Sequence, residues 1–413
     1  MRSRSPIRKR GRGERGVVLV LAGVGLVVGL AFVGLFVDLG LAYVAKARLA
    51  KAVDAGSLAA ARNVASGLTA MQDIAVKVAN ANYKPTGSTY SITIDNPSTD
   101  TTRVQMTATN EIPTMLLRLM GDKTITMRAL GEATRYPLDL SLVLDVSLSL
   151  QFSGSFGDLQ AASKQFVTRF DDKTDQMGLV TFSVAAKNVT PMQKNFGSTI
   201  ATAIDGLTPI SFTNLEEGVR FGKVQLDTAP ARPKAVKVIV LFTDGLPTAV
   251  RDTFDVKSPP AKYDGVVVTD SNGTMPYGLF EPVGGQRVVS FNSSGNPVLG
   301  SLWGVSQDMP LRLPGNLSVT GPNILQLATS ELLDAANTAR AAGYRIYCVG
   351  LGNLDSSDPA DQPDLNLLRK IANENGISNP NQPRGIMLFA PSSSALSNAF
   401  TQLADRILTR LTR

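Results

Sequence analysis

The sequence predicts an α/β chain in three parts: an N-terminal transmembrane helix, a small α+β unit, and a doubly wound, mostly parallel sheet carrying a long insertion. Three observations predict it. Val17 to Val37 is a run of 21 residues without a charge. Beyond Pro137, short apolar runs alternate with amphipathic stretches, the pattern of buried parallel strands and their crossover helices. From Pro247 to about Pro322 that alternation gives way to sequence rich in Gly, Pro, Ser and Asn.

Composition narrows the function. A length of 413 residues predicts two or three folded units. With 43% hydrophobic and 18% charged residues, the chain can build real cores. It has no histidine and a single cysteine, Cys348. That excludes a Ser-His-Asp triad, His-containing zinc sites, an internal disulfide and a CxxC redox pair. The net charge of +7 is concentrated in residues 1–16, which hold seven Arg/Lys and one Glu. A nucleic-acid binder would spread basic residues over a folded face, so no nucleic-acid partner is expected.

The apolar run 17–37 spans about 30 Å, the thickness of a bilayer core. The basic tail before it predicts a cytoplasmic N-terminus and an exported remainder. A cleaved signal peptide fits less well: the apolar core exceeds the usual ~7–15 residues and no A-x-A site follows. Gly23-x-Gly25-x-x-x-Gly29 lacks the strand–turn–helix setting of a dinucleotide loop. Ala-rich helical composition continues from Asp38 to about Val64. Residues 38–136 then read as a helical stalk with a small α+β unit. A helix is expected over 70–82, strands over 90–95 and 103–108 around a turn at Asn96–Asp100, a helix over 112–119 and a strand over 124–129. No catalytic constellation lies there, which suggests a packing or assembly module.

The segment VDLGLAYVAKARLAKAVDAGSLAAA resembles the N-terminal part of TadE/TadG-like Tad (Flp) pilus-assembly proteins. Its more specific features are the Asp38-Leu39-Gly40 exit from the apolar run and Asp54-Ala55-Gly56 sixteen residues later. The resemblance covers residues 14–62, and Ile112-Pro113-Thr114 through Gly121 is similar to a later stretch of the same proteins.

In the third part, residues 137–413, strands are expected at 138–145, 176–182, 186–189, 235–243, 344–349 and 386–389. Helices are expected at 157–170, 199–206, 215–226, 330–342, 365–374 and 394–411. Ligands of such sheets bind beyond the carboxyl ends of the strands, and oxygen donors gather there. Asp145-x-Ser147-x-Ser149 follows the first strand, Thr213 precedes the helix at 215, and Thr243-Asp244-Gly245 ends the long central strand. At i, i+2 and i+4 of an extended loop, Asp145, Ser147 and Ser149 can converge on one point. Hydroxyls of Ser147, Ser149 and Thr213, with Asp145 and Asp244 acting largely through water, suit a hard divalent ion such as Mg²⁺. One position would remain for a partner's carboxylate.

These residues resemble the metal-ion-dependent adhesion site (MIDAS) of von Willebrand factor A (vWA) domains, whose sheet is Rossmann-like. All five motif positions are present: Asp145, Ser147, Ser149, Thr213 and Asp244. Leu148 stands where many relatives have Gly. The resemblance implies a bound Mg²⁺ (or Mn²⁺ or Ca²⁺) and a protein partner offering an exposed Asp or Glu. The insertion over 247–322 begins beside Asp244 and is expected either to overhang the metal face or to be a tolerated surface insertion, with Val266–Thr269 and Arg287–Phe291 as strands of a hairpin-bearing subdomain.

Asp171-Asp172 and Glu216-Glu217 read as solvated helix ends, Cys348 as a buried apolar residue, and Trp303 as part of the insertion. Together these readings imply a non-enzymatic, metal-dependent adhesion or assembly protein of a Tad-type pilus or secretion system. It would be single-pass in a bacterial inner membrane, its C-terminal domain periplasmic or extracellular. Two alternatives stay open. A pseudopilin processed near Gly16 would want Glu where Leu21 stands. A metal-dependent hydrolase would need a general base that the motif does not provide.

Overall fold

The computed structural model describes residues 14–84, 88–98, 101–257, 260–295, 297–299, 311–355 and 362–412. The basic tail up to residue 13, residues 99 and 100 of the expected turn and Trp303 lie outside them. The chain divides into two compact units, one holding residues 1–95 and 102–134, the other 96–101 and 135–413.

The first unit is led by α1 (Glu14–Arg62), a 49-residue helix. From Val17 to Phe32 its apolar side chains are exposed. Beyond that a buried stripe appears at Gly34, Asp38, Ala42, Ala45 and Leu49, the 3–4-residue spacing of a helix that has gained a packing partner. α2 (Leu68–Asn82) lies against it. Gly56 permits the approach: a Cβ there would stand 2.7 Å from the Ala75 carbonyl and 2.6 Å from the Met106 sulfur. The three-stranded sheet β1 (Thr89–Ser98), β2 (Thr101–Pro113) and β3 (Thr124–Arg135) completes the unit. β2 buries alternate residues, including Val104, Met106 and Ala108, against Leu49, Val53, Ala75 and Ala79. The helix expected over 112–119 is not there. β2 continues through Pro113, and only a 3₁₀ turn, Leu117–Met120, follows. Residues 96–98, expected in a turn, extend β1.

The second unit is built on a six-stranded sheet. β4 (Leu138–Asp145) is followed by two helices, the short α3 (Leu148–Phe152) and α4 (Phe156–Val167), before β5 (Gln176–Phe182) and the edge strand β6 (Ala186–Gln193). Two helices, α5 (Phe196–Asp205) and α6 (Leu215–Thr228), lead to β7 (Val236–Thr243). The insertion contributes β8 (Ala249–Lys257), β9 (Pro260–Thr269), β10 (Pro276–Phe280), β11 (Arg287–Phe291), β12 (Pro297–Leu299), β13 (Leu311–Leu313) and β14 (Leu317–Ser318). The chain ends with α7 (Gly321–Ala341), β15 (Arg345–Leu351), α8 (Leu365–Ala372), β16 (Met387–Ala390) and α9 (Leu396–Leu411).

The main sheet runs β16-β15-β7-β4-β5-β6 and is parallel except for β6. β4 buries every residue, so alternation sorts its side chains between two helical layers. Leu138, Leu140, Leu142 and Leu144 face Phe166 of α4, Ile200 of α5 and Phe400 of α9. On the other side Val143 packs with Val219 of α6, Leu332 of α7 and Ile371 of α8.

The insertion is a seven-stranded sheet of its own, ordered β12-β11-β10-β9-β8-β13-β14, with antiparallel pairing throughout. Both strands expected there are present, Val266–Thr269 within β9 and Arg287–Phe291 as β11, and each forms an antiparallel hairpin with β10, which lies between them. α7 begins at Gly321 rather than 330: Pro322 occupies its first turn, where no N–H is needed, and Thr320 caps it. Its first half, Ile324 and Ala328, packs on the insertion sheet, and its second half, Leu332, Ala336 and Ala339, on the main sheet.

Candidate metal centre

β4 and β7 are neighbours and end together, which sets Asp145 beside Thr243 and Asp244. Asp145 is wholly buried. One of its oxygens accepts from the Ser147 N–H at 2.8 Å, the other from the Thr243 hydroxyl at 2.7 Å. Thr243 therefore orients this carboxylate, a role its place in Thr243-Asp244-Gly245 did not disclose. Ser147 is extended and directly precedes α3 without a side-chain capping bond, so Ser149 stands on the first turn of a helix and not in an extended loop. The convergence still occurs: the two serine hydroxyls are 2.8 Å apart, and Ser149 donates to Asp244 Oδ1 at 2.9 Å. The Ser147 hydroxyl stands 3.4 Å from the same oxygen.

Thr213 arrives from a third segment. The Ile210 N–H donates to the Val146 carbonyl at 2.7 Å, and the Asn214 N–H to the Ser183 carbonyl at 2.7 Å. Asn214 also caps α6 by accepting from the Glu217 N–H. A Cβ on Gly245 would stand 3.8 Å from Thr213 Oγ1, so that hydroxyl adjoins the Asp244 turn. All five motif side chains are thus brought to one end of the sheet.

The electrostatics of this cluster favour a cation. Burial raises the proton affinity of both carboxylates, and for Asp244 the charge of Asp145 raises it further. The donors are all hard oxygens, two carboxylates and three hydroxyls, which fits Mg²⁺, Mn²⁺ or Ca²⁺. Among the described residues no group of three or more acidic or thiol side chains offers a rival site. Ser147, Ser149, Thr213 and Asp244 line an open cavity of about 810 Å³. Its walls include Phe152, Phe212 and Leu246, and the insertion adds Ser271 and Tyr277. Phe212 holds a left-handed backbone (φ 68°) and packs edge-on to Phe280 and against Tyr277. The aromatic wall was not foreseen, since its three rings come from separate stretches without a shared motif.

Two other expectations change. Glu216 and Glu217 are buried, not solvated. Glu217 accepts from the Ala186 N–H, Arg220 and Arg251, and burial raises the Glu216 carboxyl to about 7. Asp171 instead serves its own turn, accepting from the Thr174 hydroxyl. Cys348 is buried in β15, as expected.

Residues 139–269 match the family model of the von Willebrand factor type A domain. Residues 16–63 match the family model for Flp pilus-assembly TadE/G-like proteins. The chain therefore joins a TadE/G-like N-terminal segment to a vWA domain. Among solved structures, the PilB minor pilin from Streptococcus sanguinis aligns at 18% identity and a TM-score of 0.41, covering 78% of this chain and 79% of that one. The vWF domain of the type V pili tip protein Mfa5 from Porphyromonas gingivalis aligns at 18% identity and 0.43, covering 68% and 97%. The pilus adhesin SpaC from Lactobacillus rhamnosus GG aligns at 16% identity and 0.43, covering 78% of this chain and 35% of the adhesin. No curated protein matches the chain.

Proposed function

We propose that this is a membrane-anchored, non-enzymatic adhesion or assembly protein of a Tad-type pilus or secretion system. It would bind a partner's Asp or Glu through a divalent cation held by Asp145, Ser147, Ser149, Thr213 and Asp244. The observation that carries the reading is the cluster itself. Two buried carboxylates, Asp145 beneath the cavity and Asp244 lining it, meet converging hydroxyls and, among the described residues, no Lys or Arg as a hydrogen-bond partner. When bound, a divalent cation supplies the missing positive charge and an open position for an outside carboxylate. The chain's own residues orient the donors: Thr243 and the Ser147 N–H fix Asp145, and Asn214 fixes the start of α6 beside Thr213.

The TadE/G-like segment supports placement in pilus assembly. Helix α1 is long and apolar enough to cross a membrane, and the basic tail favours a cytoplasmic N-terminus in the bacterial inner membrane, with the vWA domain periplasmic or extracellular. The test is calorimetric titration of Mg²⁺ and Mn²⁺ into the full chain in detergent, beside Asp145→Ala/Ser147→Ala. Binding by the wild type that vanishes in the variant is expected. Wild-type protein that takes up neither ion would overturn the metal-bridged mechanism.

A further inference from the structure

The turn between β2 and β3 carries an unexplained apolar tip. Met115 is 64% exposed and Leu119 80%, with Leu116 less exposed between them. This is not a loose loop. The Asp38 side chain accepts three consecutive backbone N–H groups from it, those of Met115 (2.9 Å), Leu116 (2.9 Å) and Leu117 (2.7 Å). Thr114 closes its base with a hydroxyl bond to the Asp122 carbonyl at 2.5 Å and an N–H bond to the Lys123 carbonyl at 3.1 Å. Leu116 presses on α1 at Gly34, where any Cβ would collide at 2.6 Å.

Gly34 lies inside the apolar run and Asp38 directly follows it, so the loop is clamped where the helix leaves its apolar segment. The exposed surface of α1 there is also apolar: Phe36, Val37, Leu39, Leu41, Tyr43 and Val44, before Lys46 and Arg48 begin the charged stretch. Arg118 and Lys123 sit exposed on the same loop, with Asp122 exposed beside Lys123, so the loop carries a net positive charge that anionic lipid headgroups would meet. Apolar side chains on a clamped turn, with a net-basic rim, fit the headgroup–acyl boundary.

We propose that the turn from Thr114 to Gly121 is a second membrane contact, burying Met115, Leu116 and Leu119 in the leaflet from which α1 emerges. The contact would fix the first unit against the bilayer instead of leaving it free to swing on its helix. It rests on the reading of α1 as a membrane anchor, and the experiment separates the two.

The full chain is placed in nanodiscs of phosphatidylcholine and phosphatidylglycerol, with nitroxide quenchers either near the headgroup or near the chain end. A polarity-sensitive thiol dye is attached at Leu119→Cys, Met115→Cys, Gly25→Cys or Phe152→Cys. Cys348 is buried, which makes labelling selective. Dyes at 119 and 115 are expected to shift to the blue and lose fluorescence to the shallow quencher. The dye at 25 should lose it to the deep quencher, and the dye at 152 to neither. Unquenched dyes at 119 and 115 beside a quenched dye at 25 would overturn the loop contact and leave the anchor standing. A blue-shifted dye at 119 that lipid quenchers do not reach would mean a protein covers the loop, and would overturn it equally. No quenching at 25 would remove the anchor, and the loop contact with it.

Discussion

Arg251 of β8 reaches the wholly buried carboxylate of Glu217 on α6 at 3.0 Å, and its other nitrogens hold Asp264 of β9 at 2.7 and 3.0 Å. One guanidinium thus ties the insertion sheet to the helix that opens beside Thr213. Glu217→Ala removes the common acceptor of Arg251, Arg220 and the Ala186 N–H, and should cost about 3 kcal/mol in urea unfolding. Arg251→Ala, which leaves Arg220 in place and removes a partly exposed partner, should cost only about 1 kcal/mol. An Arg251→Ala variant as stable as the wild type would show that the bridge does not hold the insertion sheet on α6.

Glu216 gives the fold a pH dependence. Its folded value, about 7, lies above the ordinary carboxyl value of 4.5, so the folded chain holds the proton more tightly. The stabilisation is complete below pH 4.5 and is lost as the pH rises through about 7. Stability should fall with a slope of up to roughly 1.4 kcal/mol per pH unit in that window. Asp145 and Asp244, also raised by burial, add to the fall, so Glu216→Gln should lessen the slope without abolishing it and exceed the wild type in melting temperature at pH 8. A variant with an unchanged slope would refute the assignment.

The metal cluster predicts opposite effects of one substitution. Asp244→Asn removes a charge that burial and Asp145 both disfavour, so the chain without divalent ions should melt higher than the wild type. Adding Mg²⁺ should then stabilise the wild type, by about 2.7 kcal/mol at a hundredfold excess over the dissociation constant, and leave the variant unmoved. Because both carboxylates must lose protons first, cation affinity should rise with pH. Calorimetry at three pH values checks this.

Gly56→Leu tests the first unit. The new side chain would meet the Ala75 carbonyl, which belongs to a helix backbone and cannot retreat as a side chain could. A loss of about 2 kcal/mol is expected, seen as faster proteolysis between α1 and α2. The glycine of Asp54-Ala55-Gly56 thereby acquires a reason: it is where two helices touch.

The main sheet was legible because β4, β5 and β7 are buried on both faces and so read as apolar runs, and because the donors fall directly at strand ends. The insertion sheet was not. Strands such as Ala249–Lys257 carry Arg251, Asp252 and Asp255 amid their apolar residues, so the period-two signal is broken. The first turns of α7 were hidden for another reason: Gly321-Pro322-Asn323 reads as a turn, yet Pro in a first turn starts a helix. The burial of Glu216 and Glu217 depends on Arg251 and its sheet arriving from far along the chain, which no local pattern around residue 216 encodes.

The position of β4 also sets how the domain would carry load. Its first residues follow directly from the chain of the first unit, and its last is Asp145. Residues 138–145 are bonded along their length to β7 on one side and β5 on the other, in parallel register. Tension entering from the first unit's chain at Leu138 would therefore run along the strand axis and, where β5 and β7 hold the other end of the load, would stress their bonds to β4 in shear, together and not one after another.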